Sequence, residues 1–243
     1  MRQIYPDPAD VDPLDAYGRP GRADGRPSVR LNMIASVDGA AYLGGRSGAM
    51  GGPADKALFA TLRSLADVIL VGAATMRTES YGPALLDDAA RARRQRWGTA
   101  PVPPIAVVTR ACRLDWTSSF FADAEQRPLV ITASSSATSD RDAAAEVADV
   151  IVAGADGVDL GMAVAALGQR GHGNVLAEGG PGIAAQLAAS GLLDEVCLTL
   201  SPMLVGSAAR RILDGAALDP LSALELGSVL TADGYLFLRY RRV

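Results

Sequence analysis

The chain has 243 residues, 49% of them apolar and 21% charged, with a net charge of −4. That balance can fill a core and excludes a disordered chain, and a weakly acidic sequence with scattered basic residues lacks the electrostatic footprint of a nucleic-acid binder. Its apolar runs are too short and too often broken for a bilayer span, which needs roughly 20 apolar residues, and the N-terminus is not patterned as a secretory signal, so a cytoplasmic protein is expected.

Residues 1–27 are rich in Pro, Asp, Gly and Arg and carry no period, which predicts an arm lying on the surface. Residues 28–243 then form one domain. Val29 to Ser36 reads as a strand and Pro53 to Ala66 as a helix, with proline in the first turn where its missing N–H costs nothing. Val68 to Val71 is a strand. An Arg-rich helix follows around Arg91 to Trp97, with Arg91, Arg93, Arg94 and Arg96 read as an exposed face. Ile105 to Thr109 and Leu129 to Thr132 are strands, Asp140 to Ala148 a helix, and Val150 to Val152 a short strand. Asp159 to Arg170 is helical, Asn174 to Ala177 a strand, and Gly182 to Ser190 a helix closed by Gly191. The last stretch changes character: Val196 to Leu200, Leu224 to Leu230 and Tyr235 to Tyr240 are strands, the last two joined by the turn Thr231-Ala232-Asp233-Gly234. The alternation predicts an α/β fold with a mostly parallel central sheet, helices on both faces, and an antiparallel C-terminal hairpin.

The scarce residues narrow the chemistry. With one histidine, His172, and two distant cysteines, Cys112 and Cys197, the sequence offers no Cys/His zinc site, so no metal is expected. A Ser-His-Asp triad or a Cys-His pair would both need His172, which sits in a turn and reads more simply as a solvated loop residue. Cys197 alternates with apolar neighbours and reads as a small buried hydrophobe.

Open α/β sheets bind ligands beyond the carboxyl ends of their strands. After Ala177 comes Glu178-Gly179-Gly180-Pro181-Gly182 and a helix, where close backbone approach and free amides suit a pyrophosphate. An ordinary glycine turn is an equal reading of those glycines; Glu178, a carboxylate that needs its own donor, favours a ligand. Val71-Gly72-Ala73-Ala74-Thr75 also follows a strand, and Thr75 could bond a phosphate or ribose oxygen or simply cap a helical turn. Neither stretch follows the G-x-G-x-x-G fingerprint, which disfavours a conventional Rossmann domain. In Asn32-Met33-Ile34-Ala35-Ser36-Val37-Asp38-Gly39, polar residues interrupt an apolar strand, which points either to a ligand or to a turn made by Ser36 and Asp38. The glycine-rich run Gly44 to Gly52 is suited to folding over a ligand, or is a linker.

Together the runs Asn32 to Gly39, Leu62 to Gly72 leading into Thr75, and Glu178 to Pro181 followed by Leu192 to Glu195 resemble the reductase family of riboflavin biosynthesis. This family comprises the C-terminal domain of the bifunctional deaminase-reductase and its stand-alone relatives, with the dihydrofolate reductase fold. The resemblance spans residue 28 to the end. It implies an NADPH-dependent oxidoreductase and a homodimer, reducing the ribosyl group of 5-amino-6-(5-phosphoribosylamino)uracil, or of its diamino precursor, to the ribityl form. It implies cofactor contacts at Ile34, Gly72, Thr75, Glu79, Arg110, Gly179, Gly180, Pro181, Gly182 and Ile183, with the charge of Arg110 suited to a 2′-phosphate. Asn32, Ser47, Arg63 and Glu178 match substrate positions, and Glu178 and Asp38 are the carboxylates expected near the reacting carbon. Two departures lie in the substrate wall: Ala49 where the family often has Trp, and no arginine near Tyr81 to Asp87. The rival readings are a dihydrofolate or pterin reductase on the same fold, and a non-catalytic nucleotide-binding protein. The zinc deaminase often fused to such reductases needs a His/Cys/Cys set that this sequence does not supply.

Overall fold

The fold grows from strands that are apolar on both sides. In Val68-Ile69-Leu70-Val71 every side chain is 0% exposed, each contributing about 2 kcal/mol by leaving water. Such a strand needs a helical layer on either face. The computed structural model describes residues 1–20, 25–206 and 209–243. Among them the strands are β1 (Arg2–Tyr5), β2 (Ala9–Asp10), β3 (Ser28–Ser36), β4 (Val68–Gly72), β5 (Ile105–Val108), β6 (Leu129–Thr132), β7 (Asp149–Val152), β8 (Asn174–Ala177), β9 (Glu195–Ser201), β10 (Leu224–Ala232) and β11 (Tyr235–Arg242). The helices are α1 (Pro13–Tyr17), α2 (Pro53–Leu65), α3 (Ala73–Thr78), α4 (Asp88–Arg96), α5 (Ser119–Ala122), α6 (Thr138–Val147), α7 (Leu160–Gln169) and α8 (Pro181–Ala189).

All strands join one sheet in the order β2-β1-β10-β11-β9-β3-β8-β4-β5-β6-β7. From β9 to β7 neighbouring strands run parallel; from β9 outward through β11, β10, β1 and β2 they alternate. One core layer packs Ile69, Val71, Val107 and Val130 under α2, α3 and α6, and the opposite layer packs Val68, Leu70, Ala106 and Ile131 under α7 and α8. The mostly parallel sheet with helices on both faces and an antiparallel C-terminal hairpin is therefore the observed fold. Ala232 pairs with Tyr235 across Asp233 and Gly234, both at positive φ, as a two-residue hairpin turn requires. Gly191, also at positive φ, follows the last residue of α8's C-terminal turn.

Two expectations are corrected. Residues 1–27 contribute regular structure: β1 pairs antiparallel with β10, and α1 is capped by the Asp12 carboxylate, which accepts from the Leu14 amide. Tyr17 at the end of α1 is 2% exposed. The cause is a buried ion cluster. Glu195 accepts from both Arg30 and Arg239, and the two guanidinium groups also donate to the Ala16, Tyr17 and Gly18 carbonyls, which terminate α1.

The arginines of α4 are not one exposed face. Arg94 is 1% exposed; its guanidinium donates to the Ala100 carbonyl at 2.8 Å, to Ser64 at 3.0 Å, and to Ala66. It thereby satisfies carbonyls at the end of α2 that have no helical partner. Burial pushes its pKa down to about 10, still charged at neutral pH. Arg91 pairs with Glu125 and Arg93 lies over Trp97, so among the four arginines only Arg96 is an exposed side chain.

Candidate active site

β8 inserts between β3 and β4, although β3 leads to β4 through α2. The chain thus reverses direction across the sheet at β8, and the carboxyl ends of β4, β5 and β8 frame a crevice. Two cavities open there. A groove of about 750 Å³ is lined by Gly72, Thr75, Arg110, Gly180, Pro181, Gly182 and Ile183. A smaller chamber of about 300 Å³ is lined by Asn32, Ile34, Ser47, Arg63, Glu79 and Glu178. Tyr42, Thr75 and Gly180 line both, so the two cavities meet at these residues.

The groove is a cradle made by missing side chains. A Cβ at Gly180 would collide with Thr75 Oγ1 and come within 3.3 Å of the Tyr42 hydroxyl, and one at Gly72 would stand 3.0 Å from Ile183 Cγ1. The Gly72 amide donates to the Gly179 carbonyl at 2.8 Å, tying the end of β4 to the turn after β8. Gly179 has φ +85, where a side chain is strained. Pro181 opens α8 and carries no N–H, so the Gly182 amide is the first free donor of that helix terminus and faces the groove with Ile183. Arg110 follows β5 and Arg77 ends α3; both line the groove. A long ligand with an anionic middle fits this donor set.

The chamber is organised around Glu178, which is 6% exposed. Arg63 donates from Nε to Oε1 and from Nη2 to Oε2, both at 2.7 Å, and the Tyr81 hydroxyl donates to Oε2 at 2.8 Å. The guanidinium also lies 4.2 Å from the centre of the Phe59 ring. Burial by itself would lower the pKa of Arg63, but the carboxylate beside it overrides that and raises it. Burial also pushes the Tyr81 phenol well up, and the Glu178 charge adds to the shift. Removing either member of the bidentate pair would strand the other charge, at a cost of about 3–5 kcal/mol. The Glu178 carboxylate thus accepts from three donors at the wall of the chamber.

Glu79, expected among the cofactor contacts, lines the chamber, where Oε1 accepts from the Ser47 amide at 2.7 Å and from the Ser47 hydroxyl at 2.9 Å. Ile34, from β3, likewise lines the chamber and not the groove. The glycine-rich run is pinned at a second point: Met50 is fully buried, and its carbonyl accepts from Ser201 Oγ and from the Tyr235 hydroxyl.

Asp38 stands apart from both cavities. It lines a separate depression with Gly206 and Arg211, and its carboxylate accepts from the Ser36 hydroxyl and the Val205 and Gly206 amides. Those donors, the Ser36 hydroxyl first, hold its pKa down to about 2. Ser36 and Asp38 therefore make a turn, and Asp38 lines neither the groove nor the chamber. Besides Glu79 and Glu178, the chamber is lined by the carboxyl of Asp55, whose pKa burial raises despite a hydrogen bond from Thr199. His172 and both cysteines lie outside both linings.

Asp55, Lys56, Phe59 and Tyr81 are chamber residues that the motif reading did not single out. Asp55 and Phe59 were within reach of the sequence. Ala54, Leu58, Leu62 and Leu65 form the buried face of α2, and Asp55, Phe59 and Arg63 repeat every four residues beside it. A mixed polar and aromatic stripe next to an apolar one marks a helix that borders a cavity. Tyr81 lies in a loop with no period, and nothing local marks it.

A doubly wound sheet whose crevice joins a long glycine-lined groove to a compact polar chamber defines an enzyme that brings two small molecules together. The comparisons agree. Residues 27–236 match the family model described as the RibD C-terminal domain. The 2,5-diamino-6-ribosylamino-4(3H)-pyrimidinone 5′-phosphate reductase of Methanothermobacter thermautotrophicus is 31% identical over 221 residues, 88% of this chain and 98% of that protein. The protein of the same name from Archaeoglobus fulgidus is 28% identical over 182 residues, 74% of this chain and 83% of that protein. The crystal structure of a pyrimidine reductase-like protein from Corynebacterium diphtheriae superposes with a TM-score of 0.80 at 30% identity, covering 89% of this chain and 92% of that one. The chain belongs to the RibD C-terminal domain family, with the dihydrofolate reductase-like fold, and is an oxidoreductase of the riboflavin-biosynthesis group.

Proposed function

We propose that the protein is an NADPH-dependent reductase that converts 2,5-diamino-6-ribosylamino-4(3H)-pyrimidinone 5′-phosphate, or its deaminated uracil counterpart, to the ribityl compound. The observation that carries this reading is the junction at Tyr42, Thr75 and Gly180, where a groove for a long anionic ligand opens into a chamber for a compact polar one.

The groove residues fit a dinucleotide: Gly72 and Gly180 give the close backbone approach, the Gly182 amide is free for a pyrophosphate oxygen, and Arg110 supplies a charge for a 2′-phosphate. When bound, the dihydronicotinamide supplies a hydride. The ribosyl group, opened to its imine, gains that hydride at C1′ and a proton at the nitrogen, so the C=N bond becomes C–N and the sugar becomes ribityl. The protein's contribution is placement of the two reactants against each other. Glu178 accepts from a pyrimidine N–H, held in place for that by Arg63 and Tyr81. Asn32 offers an amide to the ring from β3, and Asp55 is the chamber carboxyl that burial biases toward holding a proton. The protein works as a homodimer, a reading supported by the apolar outer face of β9 and β11.

The test is NADPH oxidation followed at 25 °C with the diaminopyrimidinone phosphate, its uracil counterpart and dihydrofolate in parallel, and with NADH in place of NADPH. Turnover of a ribosylaminopyrimidine with preference for NADPH is expected. Turnover of dihydrofolate alone would transfer the site to the pterin reading, and binding of NADPH with no turnover of any acceptor would leave a nucleotide-binding protein.

A further inference from the structure

We propose that Lys56 recognises the substrate's phosphate and sets the preference for phosphorylated over dephosphorylated pyrimidines, an inference that rests on the functional reading above. Lys56 is the only lysine in the sequence; every other Lys/Arg position is arginine. It belongs to α2, one residue after Asp55, and lines the chamber but not the groove.

Two cations line the chamber, and they are not equivalent. Arg63 is committed to Glu178 through two hydrogen bonds and is nearly buried. Lys56 makes no ion pair among the described residues and its side chain is exposed. The neighbouring carboxyl, Asp55, is turned to the Thr199 hydroxyl. Lys56 acts on Asp55 only through its charge and, among the described residues, is the chamber cation held in no ion pair.

Substrate chemistry places the phosphate on that side. The two archaeal relatives are named for a ribosyl 5′-phosphate. The carbon that accepts hydride is C1′, which must sit at the junction marked by Thr75 and Gly180. The phosphate is carried at the other end of the same five-carbon unit, so it lies away from the junction, and Lys56 lines the chamber without lining the groove or the junction. A phosphate there needs a cation, and a lysine provides a point charge on a flexible stem that does not require fork geometry.

Two experiments test this. The first compares wild type with Lys56→Gln and Lys56→Arg on the 5′-phosphorylated substrate and on its dephosphorylated nucleoside. In Lys56→Gln the ratio of kcat/KM for phosphorylated over dephosphorylated substrate should fall about tenfold or more, the value of a charged hydrogen bond, with the loss in KM. Lys56→Arg should restore most of it. An unchanged ratio, or an equal loss on both substrates, overturns the proposal. The second needs no turnover. Lys56 and the chain terminus are the only primary amines present, so an amine-reactive ester read by peptide mass spectrometry reports Lys56 directly. Ribose 5-phosphate should protect Lys56 and ribose should not; equal labelling in both overturns the proposal. If wild type reduces no ribosylaminopyrimidine, the functional reading fails, and the labelling experiment still decides whether Lys56 holds a phosphate.

Discussion

Gly180 shows how one absent side chain makes the site. Its position is fixed from both sides, by the N-terminus of α8 and by Thr75 on α3, and the missing Cβ is the space through which groove and chamber communicate. Gly180→Ala must push the Thr75 hydroxyl and the Tyr42 ring apart, and a forced shift of this kind in a packed site costs about 1–3 kcal/mol. NADPH binding, read from the enhancement of its fluorescence, should weaken about tenfold or more. Gly157→Ala is the control: nothing lies within 4 Å of its added Cβ and its φ is ordinary, so binding should not move. Equal affinities in Gly180→Ala and wild type would mean that the cofactor does not pass this point.

At the level of elements, the N-terminal arm and the sheet depend on each other. Tyr17 packs between the guanidinium groups of Arg30 and Arg239, 5.8 and 5.7 Å from its ring centre, and the carbonyls that end α1 are the acceptors those arginines use. Tyr17→Ala opens a cavity above a buried ion cluster and should cost about 3–5 kcal/mol. It should also free the arm, so that the Ala16 and Gly18 amides, which hydrogen-bond to Asp12 and Leu14, exchange with solvent faster than in wild type; unchanged exchange would detach the arm's order from Tyr17. This order could not be read in the sequence, because the partners of α1 lie on β3, β9 and β11, and Pro- and Asp-rich residues show no period of their own. The parallel strands were legible for the opposite reason: burial on both faces writes itself as unbroken Val, Ile and Leu. The same contrast holds in the site. Gly179 to Gly182 and Gly72 announce close backbone approach locally, whereas the ion pair of Arg63 with Glu178 joins residues 115 positions apart. Polarity alone misplaced Arg94, since a helical pattern counts an arginine as exposed whether or not it meets orphaned carbonyls.

At the scale of the whole molecule, the two faces of β9 and β11 are covered unequally. On β9 and β11, Glu195, Cys197, Thr199, Phe237 and Arg239 face inward and are buried beneath α1 and α2. The alternate residues form cross-strand pairs on the opposite face: Leu200 with Leu236, Leu198 with Leu238, and Val196 with Tyr240. Leu198, Leu200 and Leu238 are half-exposed and Leu236 is exposed. A ladder of leucines on an open sheet face is costly in water, and an isologous interface, in which the same patch meets itself across a twofold axis, removes it at once. Wild type should therefore sediment at twice the chain mass at micromolar concentration. Leu198→Arg would bring two unpaired guanidinium groups together near the centre of that interface, and leaving such charges desolvated outweighs the affinity of an ordinary dimer. The variant should sediment as a monomer while its far-ultraviolet circular dichroism stays that of the wild type, because Leu198 supports neither core layer. A wild-type monomer, or a Leu198→Arg chain that remains dimeric, would show that this face is not where two copies meet.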